Sequence, residues 1–225
     1  MRSPQEFRFD GMYSDVTYVV DYGMGNLLSV RRALEHVGAT VCVTTEPTDL
    51  VAADRIVLPG VGAFPTAMEE LNRRGFSSKI RELGRKGVPV LGICLGMQLL
   101  FDSGLEYQAT RGLELIPGSV EPISNSIKGD VLFKVPHVGW SPISQRRENC
   151  WVGTILRGIQ EYDPVYFVHS YMVCPKSDKY IVADCKYGDI KIPAVVENGN
   201  VIGCQFHPEK SGDTGLRILE QFSRL

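Results

Sequence analysis

Val88-Pro89-Val90-Leu91-Gly92-Ile93-Cys94-Leu95-Gly96-Met97-Gln98-Leu99-Leu100-Phe101 starts as an apolar strand and continues as a helix, with no loop between them. The joint is Gly-Ile-Cys-Leu-Gly, with glycines two residues before and two residues after a cysteine. A side chain presented on so sharp a strand-to-helix turn crowds its neighbours two residues away, and glycine relieves that crowding. The pattern is the cysteine form of a nucleophile elbow. It predicts Cys94 near a helix N-terminus, where the dipole favours a thiolate. It also predicts that the Leu95 N–H is aimed at an oxyanion forming on the attacked carbon. The bland reading is a buried core cysteine, and the paired glycines argue against it.

Outward from this turn the chain alternates strands and helices. Towards the N-terminus, Val16–Val20 leads into a Gly-rich loop, Asp21–Asn26, and then a helix with Leu27, Val30, Leu34 and Val37 at spacings of three and four. Gly38 stops it. Further strand-like runs at Thr40–Thr44 and Arg55–Leu58 precede helical stretches at Phe64–Arg73 and Phe76–Arg85. Strands with near-continuous apolar runs, separated by amphipathic helices, indicate an α/β fold: an open, mostly parallel central sheet flanked by helices. The second half is richer in strands, at Val165–Tyr171, Tyr180–Cys185, Ala194–Asn198 and Val201–Phe206. Asn198-Gly199 marks a hairpin between the last two. A helix over Thr214–Arg224 closes the chain. Residues 1–15 read as an N-terminal extension, with Met12 a possible second start, and residues 16–225 as a single domain.

A nucleophilic cysteine needs a base, and the chain has four histidines. His36 precedes Gly38 at a helix end and reads as solvated. His137 and His169 sit in strand-like segments and stay open as candidates. His207 follows the strand Val201–Phe206 and opens His207-Pro208-Glu209. Pro208 stiffens the turn, and Glu209 is placed to orient the imidazole and stabilise its charge. Cys94, His207 and Glu209 together form a nucleophile–base–carboxylate set.

Composition excludes several other classes. Lys plus Arg number 24 against 26 Asp plus Glu, a net charge of −2 with no basic block, so neither nucleic acid nor a membrane surface is an expected partner. No signal peptide or membrane-length apolar run is present. The six cysteines are scattered, without a C-x-x-C pair, so most are expected as small buried residues in a reducing, cytoplasmic setting. No metal site is indicated. Gly23-x-Gly25 follows a strand, but Leu28 stands where a dinucleotide fingerprint needs its third glycine.

The two motifs resemble those of the triad (class I) glutamine amidotransferases, flavodoxin-like α/β enzymes. Within that superfamily the chain is similar to the glutaminase subunit of imidazole glycerol phosphate synthase. The similarity rests on Asp21–Asn26, Leu58–Phe64, Pro89–Leu100, Lys134–Trp140, Tyr166–Tyr171 and Gln205–Ser211 in order. It implies that Cys94, His207 and Glu209 form a catalytic triad releasing ammonia from glutamine, with no cofactor. Gln98, Glu106, Ser170 and Tyr171 would hold the substrate. The backbone of Gly60, Val61 and Gly62 would rearrange to complete, with Leu95, the oxyanion hole. Asn26, Trp140, Tyr166 and Lys210 would face a (β/α)8-barrel synthase (cyclase) subunit, in a heterodimer, and the ammonia exit. Residue by residue there are blander readings: Asn26 as a helix N-cap, Trp140 and Tyr166 as core aromatics, Lys210 as a solvated charge.

Leu28, Ser141, Met172 and Arg111–Glu114 depart from the family's usual residues, which leaves room for a paralogue serving a surface-sugar amidating synthase. Two rival functions stand beside these: a partner-independent γ-glutamyl or amide hydrolase, and a non-catalytic relative. The hydrolase predicts activity without a synthase; an intact triad counts against the non-catalytic relative.

Overall fold

The computed structural model describes residues 15–225 except 125, 129 and 130, and residues 126–128 and 131–133 by backbone alone. The expected N-terminal extension therefore lies outside the described residues, apart from Asp15. That residue bonds the buried Arg55 at 2.8 Å, next to the first strand.

The first half runs β1 (Val16–Val20), α1 (Leu27–His36), β2 (Thr40–Thr44), a 3-10 turn, β3 (Arg55–Gly60), α2 (Phe64–Arg73), α3 (Phe76–Arg85), β4 (Val90–Cys94) and α4 (Leu95–Leu99). There follow β5 (Phe101–Gly104), β6 (Thr110–Arg111), β7 (Ile116–Pro122), β8 (Ser126–Lys128), β9 (Val131–Phe133) and β10 (His137–Gln145). The last part comprises β11 (Pro164–His169), β12 (Tyr171–Pro175), β13 (Ile181–Tyr187), β14 (Ile190–Asn198), β15 (Val201–Cys204) and α5 (Gly212–Phe222).

Nine strands form the main sheet in the order β11-β10-β13-β14-β15-β4-β3-β1-β2. From β15 to β2 every pair is parallel, and from β15 to β11 every pair is antiparallel. The expected parallel sheet is thus the half around β4, and the strand-rich second half builds the other. A smaller sheet, β12-β7-β5-β6, flanks it, with a separate β8–β9 pair.

Alternation along the parallel strands sends side chains into two cores, because both faces are covered by helices. Tyr18, Val20, Ile56 and Leu58 pack with Phe64, Met68, Leu71 and Ile80 from α2 and α3. Val19, Val57, Leu91, Ile93 and Ile202 pack with Val30, Leu34, Ile218 and Phe222 from α1 and α5.

Boundaries differ from the sequence reading in instructive places. Asn198 pairs with Val201, so the hairpin loop is Gly199-Asn200, with Gly199 at φ +63°. The expected strand Val165–Tyr171 is two strands that break at Ser170, where the chain leaves the main sheet for the smaller one. The strands between residues 101 and 145 carry no clear apolar–polar alternation in sequence: Gly, Pro and Ser interrupt Ile116–Pro122 and His137–Gln145, although burial alternates along Ile116–Pro122 once it is paired. All six cysteines are free. Cys94, Cys185 and Cys204 are buried, but Cys42, Cys150 and Cys174 are only partly so, fewer than expected. Among the described residues no helix is long and apolar enough to cross a membrane.

Candidate active site

The elbow forms as its glycines require. Cys94 adopts φ 55°, ψ −111°, a conformation costing a side-chain-bearing residue on the order of 1–3 kcal/mol and sustained only by its surroundings. A Cβ on Gly92 would lie 2.6 Å from the Gly96 carbonyl oxygen and the Met97 nitrogen, inside the turn. A Cβ on Gly96 would lie 1.8 Å from the Leu58 carbonyl oxygen, so this glycine is needed for α4 to pack against β3. The helix beyond is shorter than expected. α4 spans Leu95–Leu99, little more than one turn, and so offers only a small macrodipole.

The His207 imidazole ends the chain segment leaving β15. Its Nδ1 bonds Glu209 Oε1 at 2.8 Å, and both side chains are sealed from solvent. Its backbone is held too: the His207 N–H donates to the Tyr166 carbonyl at 2.9 Å, and its carbonyl accepts from Ser211 Oγ at 2.6 Å. Burial would push the His207 pKa down. Hydrogen bonding and charge from Cys94 and Glu209 outweigh burial and push it up to about 9. Among the described residues no other hydrogen-bond partner engages its Nε2, which leaves that nitrogen to exchange a proton with the thiol.

Cys94, Leu95, Val61, Gly62, Gln98, Glu106, Ser170, Tyr171, His169 and His207 line one cleft of about 560 Å³. Gly60 pairs in register with Cys94 at the base of the loop. Cys94 and His207, the expected oxyanion segment and the residues expected at the substrate are therefore brought together. Glu106 does two jobs. Its Oε2 accepts from the Phe64 N–H at 2.7 Å, capping α2 from 42 residues away, and it also lines the cleft, where it suits a substrate ammonium. Gln98 is more constrained than the sequence suggested. Its Nε2 donates to the Tyr171 carbonyl and to Gln205 Oε1, each at 3.1 Å, so its amide oxygen is the group left to receive a substrate N–H.

Gln205 is the member that sequence reasoning missed. It is fully buried, and its Nε2 lies 3.9 Å from Cys94 Sγ. The available signal was a polar residue ending a run of buried apolar ones, two positions before His207. The Val168 carbonyl also accepts from Cys94 Sγ at 3.7 Å.

His137 and His169, both open as candidates on sequence, are not bases for Cys94. β10 and β11 pair them directly, and the His137 Nδ1 to His169 Nε2 distance is 3.0 Å. His169 Nδ1 lies 2.8 Å from the Tyr171 carbonyl, which can only accept, so this nitrogen carries the proton. His169 Nε2 then accepts from His137 Nδ1–H, and His137 Nε2 accepts from Ser141 Oγ at 2.9 Å. One carbonyl fixes both tautomers. Burial pushes both pKa values down to about 4, so both rings are neutral. Ser141, one of the departures from the family pattern, is thus spent inside the protein. His36 is exposed at the end of α1.

The opposite face of the β10–β11 pair is open. Val138 and Trp140 from β10 and Val168 from β11 are exposed, and Trp140 meets Tyr166 edge-on at 6.0 Å. The core-aromatic reading therefore fails for Trp140, while Tyr166 is half-buried. Asn26 makes no side-chain cap to α1, so the capping reading does not account for it. Lys210 is exposed on the His207 turn, which packs against α1.

The family model for class I glutamine amidotransferases matches residues 18–224. The imidazole glycerol phosphate synthase subunit HisH 1 of Legionella pneumophila (strain Paris) is 44% identical over 209 residues, covering 92% of this chain and 98% of that protein. The HisH subunit of Moorella thermoacetica is 43% identical over 207 residues, covering 92% and 93%. Among solved structures, PurLQS from Thermotoga maritima superposes with a TM-score of 0.70 at 20% identity, covering 93% and 97% of the two chains. A glutamine amidotransferase crystal structure gives 0.69 at 18%, covering 92% and 99%. These two likenesses speak for the fold.

Proposed function

Given that the chain belongs to the class I glutamine amidotransferases, in the family of the HisH subunits of imidazole glycerol phosphate synthase, we propose that Cys94, His207 and Glu209 are its glutaminase triad and serve a cyclase subunit in histidine biosynthesis. The observation that carries the proposal is the coupling of a buried, Glu209-bonded His207 to a cysteine held at φ 55° over a glutamine-sized cleft.

His207 takes the thiol proton, and Cys94 Sγ attacks the carboxamide carbon of glutamine. The Leu95 N–H and a turned Val61 N–H stabilise the oxyanion; a single such donor is worth about 10²–10³ in rate. Collapse of the adduct breaks the C–N bond, and His207 returns its proton to the leaving nitrogen as ammonia. Water, deprotonated by His207, then hydrolyses the glutamyl thioester to glutamate and regenerates the thiol. Glu106 receives the substrate's ammonium, Gln98 accepts from a substrate N–H, and Ser170 and Tyr171 close the cleft. Val138, Trp140 and Val168 suit a protein partner, since apolar side chains exposed together on one face of a strand pair are costly to leave in water. Asn26, Tyr166 and Lys210 extend that face towards the ammonia exit. The enzyme works in the cytoplasm as a heterodimer, as a single domain over residues 16–225.

Glutamate formation should be near-silent for the chain alone and strongly stimulated by the cyclase subunit with its nucleotide ligand. Cys94→Ser should abolish it while ammonia-driven synthesis by the complex persists. Continued glutamine hydrolysis by Cys94→Ser would sink the assignment.

A further inference from the structure

Tyr22, in the loop after β1, has a fully buried side chain whose hydroxyl has no hydrogen-bond partner among the described residues. Natural folds rarely leave a buried hydroxyl unpaired, and such a group calls for an explanation. Its place is informative. A Cβ on Gly60 would lie 2.6 Å from Tyr22 Oη and 2.9 Å from the Gly96 nitrogen. The hydroxyl therefore sits against the last residue of β3, between the oxyanion segment and the first turn of the elbow helix. Burial, and then the nearby Cys94 sulfur, raise its pKa, so it keeps its proton and remains a donor.

In a trans peptide the N–H and C=O point in opposite directions. If the Gly60–Val61 peptide turns to aim the Val61 N–H at the oxyanion, the Gly60 carbonyl must swing away from the cleft. There it needs a donor, because a buried carbonyl without one is costly. Gly60, with no side chain, permits the turn, and an unpaired donor lies beside it.

We propose that Tyr22 is a positioning residue for the oxyanion hole: its hydroxyl, unpaired in the resting fold, donates to the Gly60 carbonyl once the Gly60–Val61 peptide has turned. The inference rests on the glutaminase reading, in which this segment completes the hole. The resting state carries an unpaired hydroxyl and the turned state pairs it, so Tyr22 biases a two-state loop towards activity.

Tyr22→Phe, assayed as the complete complex with the cyclase subunit and its ligand, tests this. The expected result is a kcat for glutamate formation lower by about tenfold, the worth of one net hydrogen bond in the turned state. The KM for glutamine and the rate of Cys94 alkylation by iodoacetamide should stay at wild-type values. The thermal midpoint should be unchanged or higher, because removing an orphaned hydroxyl relieves the resting fold. An unchanged kcat would overturn the role of Tyr22 while leaving the glutaminase reading intact. A kcat that falls only in step with the thermal midpoint or KM would also overturn it. Absence of turnover by the wild-type complex would overturn the glutaminase reading, and this inference with it.

Discussion

The turn that carries His207 and the β10–β11 pair that carries His137 and His169 bury their imidazoles alike, at 3%, 1% and 7% exposure. They hold them in opposite states. His207 is pushed up to about 9, and His137 and His169 are pushed down to about 4. Burial favours the neutral ring in all three. Only His207 has a buried carboxylate at 2.8 Å and a cysteine to oppose it. The strand-pair rings face each other, a serine hydroxyl and a carbonyl, which fix tautomers without holding a charge. Depth alone does not set the charge of a buried histidine; the groups beside it do.

Removing that charge should have the largest effect. Glu209→Gln removes one of the two groups that oppose burial, so the His207 pKa should fall, and stimulated glutaminase activity with it by about 10²–10⁴-fold. Steady-state kinetics of the complex measure this; a loss under tenfold would mean the carboxylate is not what separates the two regions.

The pH dependence should divide the same way. Glutaminase activity should decline as pH rises through about 9, where the imidazolium loses the proton it gives to ammonia, whereas alkylation of Cys94 should not decline there. In stability the signs are opposite. The unfolded value for histidine is about 6.5, so the raised pKa of His207 stabilises the fold fully below that pH, and the contribution is lost through about 9. The lowered values of His137 and His169 stabilise the fold above about 6.5, and that contribution is lost as pH falls towards 4. Thermal midpoints across pH, with wild type and Glu209→Gln compared, separate the two limbs. A flat acid limb would show that the strand-pair rings are not held neutral.

The smallest effect belongs to the strand pair. His169→Gln loses the ring that pins Tyr171, so the KM for glutamine should rise by about fivefold, one neutral hydrogen bond's worth, with kcat little changed. A kcat collapse instead would mean that His169 takes part in proton transfer.

Much of this contrast is legible in the sequence, and the pattern of what is not is physical. Cys94 on its glycine turn and the His207–Glu209 pair depend on residues one or two positions apart, and such short-range sterics and chemistry are written in sequence. Gln205 stands within a family motif without an evident role, because its meaning lies in a contact to Cys94 across 111 positions. Glu106 is expected at the substrate, but its cap on α2 emerges only with the tertiary contact. His137 and His169 stay open on sequence because their tautomers follow from the β10–β11 register. The strands between residues 101 and 145 have too many breakers for any periodic signal, and only their partners make them strands.

The sequence alone pointed to the parallel α/β half, the strained cysteine and the His207–Glu209 pair, since apolar periodicity and the steric demand at Gly92 act within a few residues. Only the tertiary structure decided which histidine is charged, which way Gln98 faces and which hydroxyl is left unpaired beside Gly60. Electrostatics and hydrogen bonding in a low-dielectric interior depend on which groups meet in space, and strands β3, β4, β10, β11 and β15 bring those groups together from across the chain.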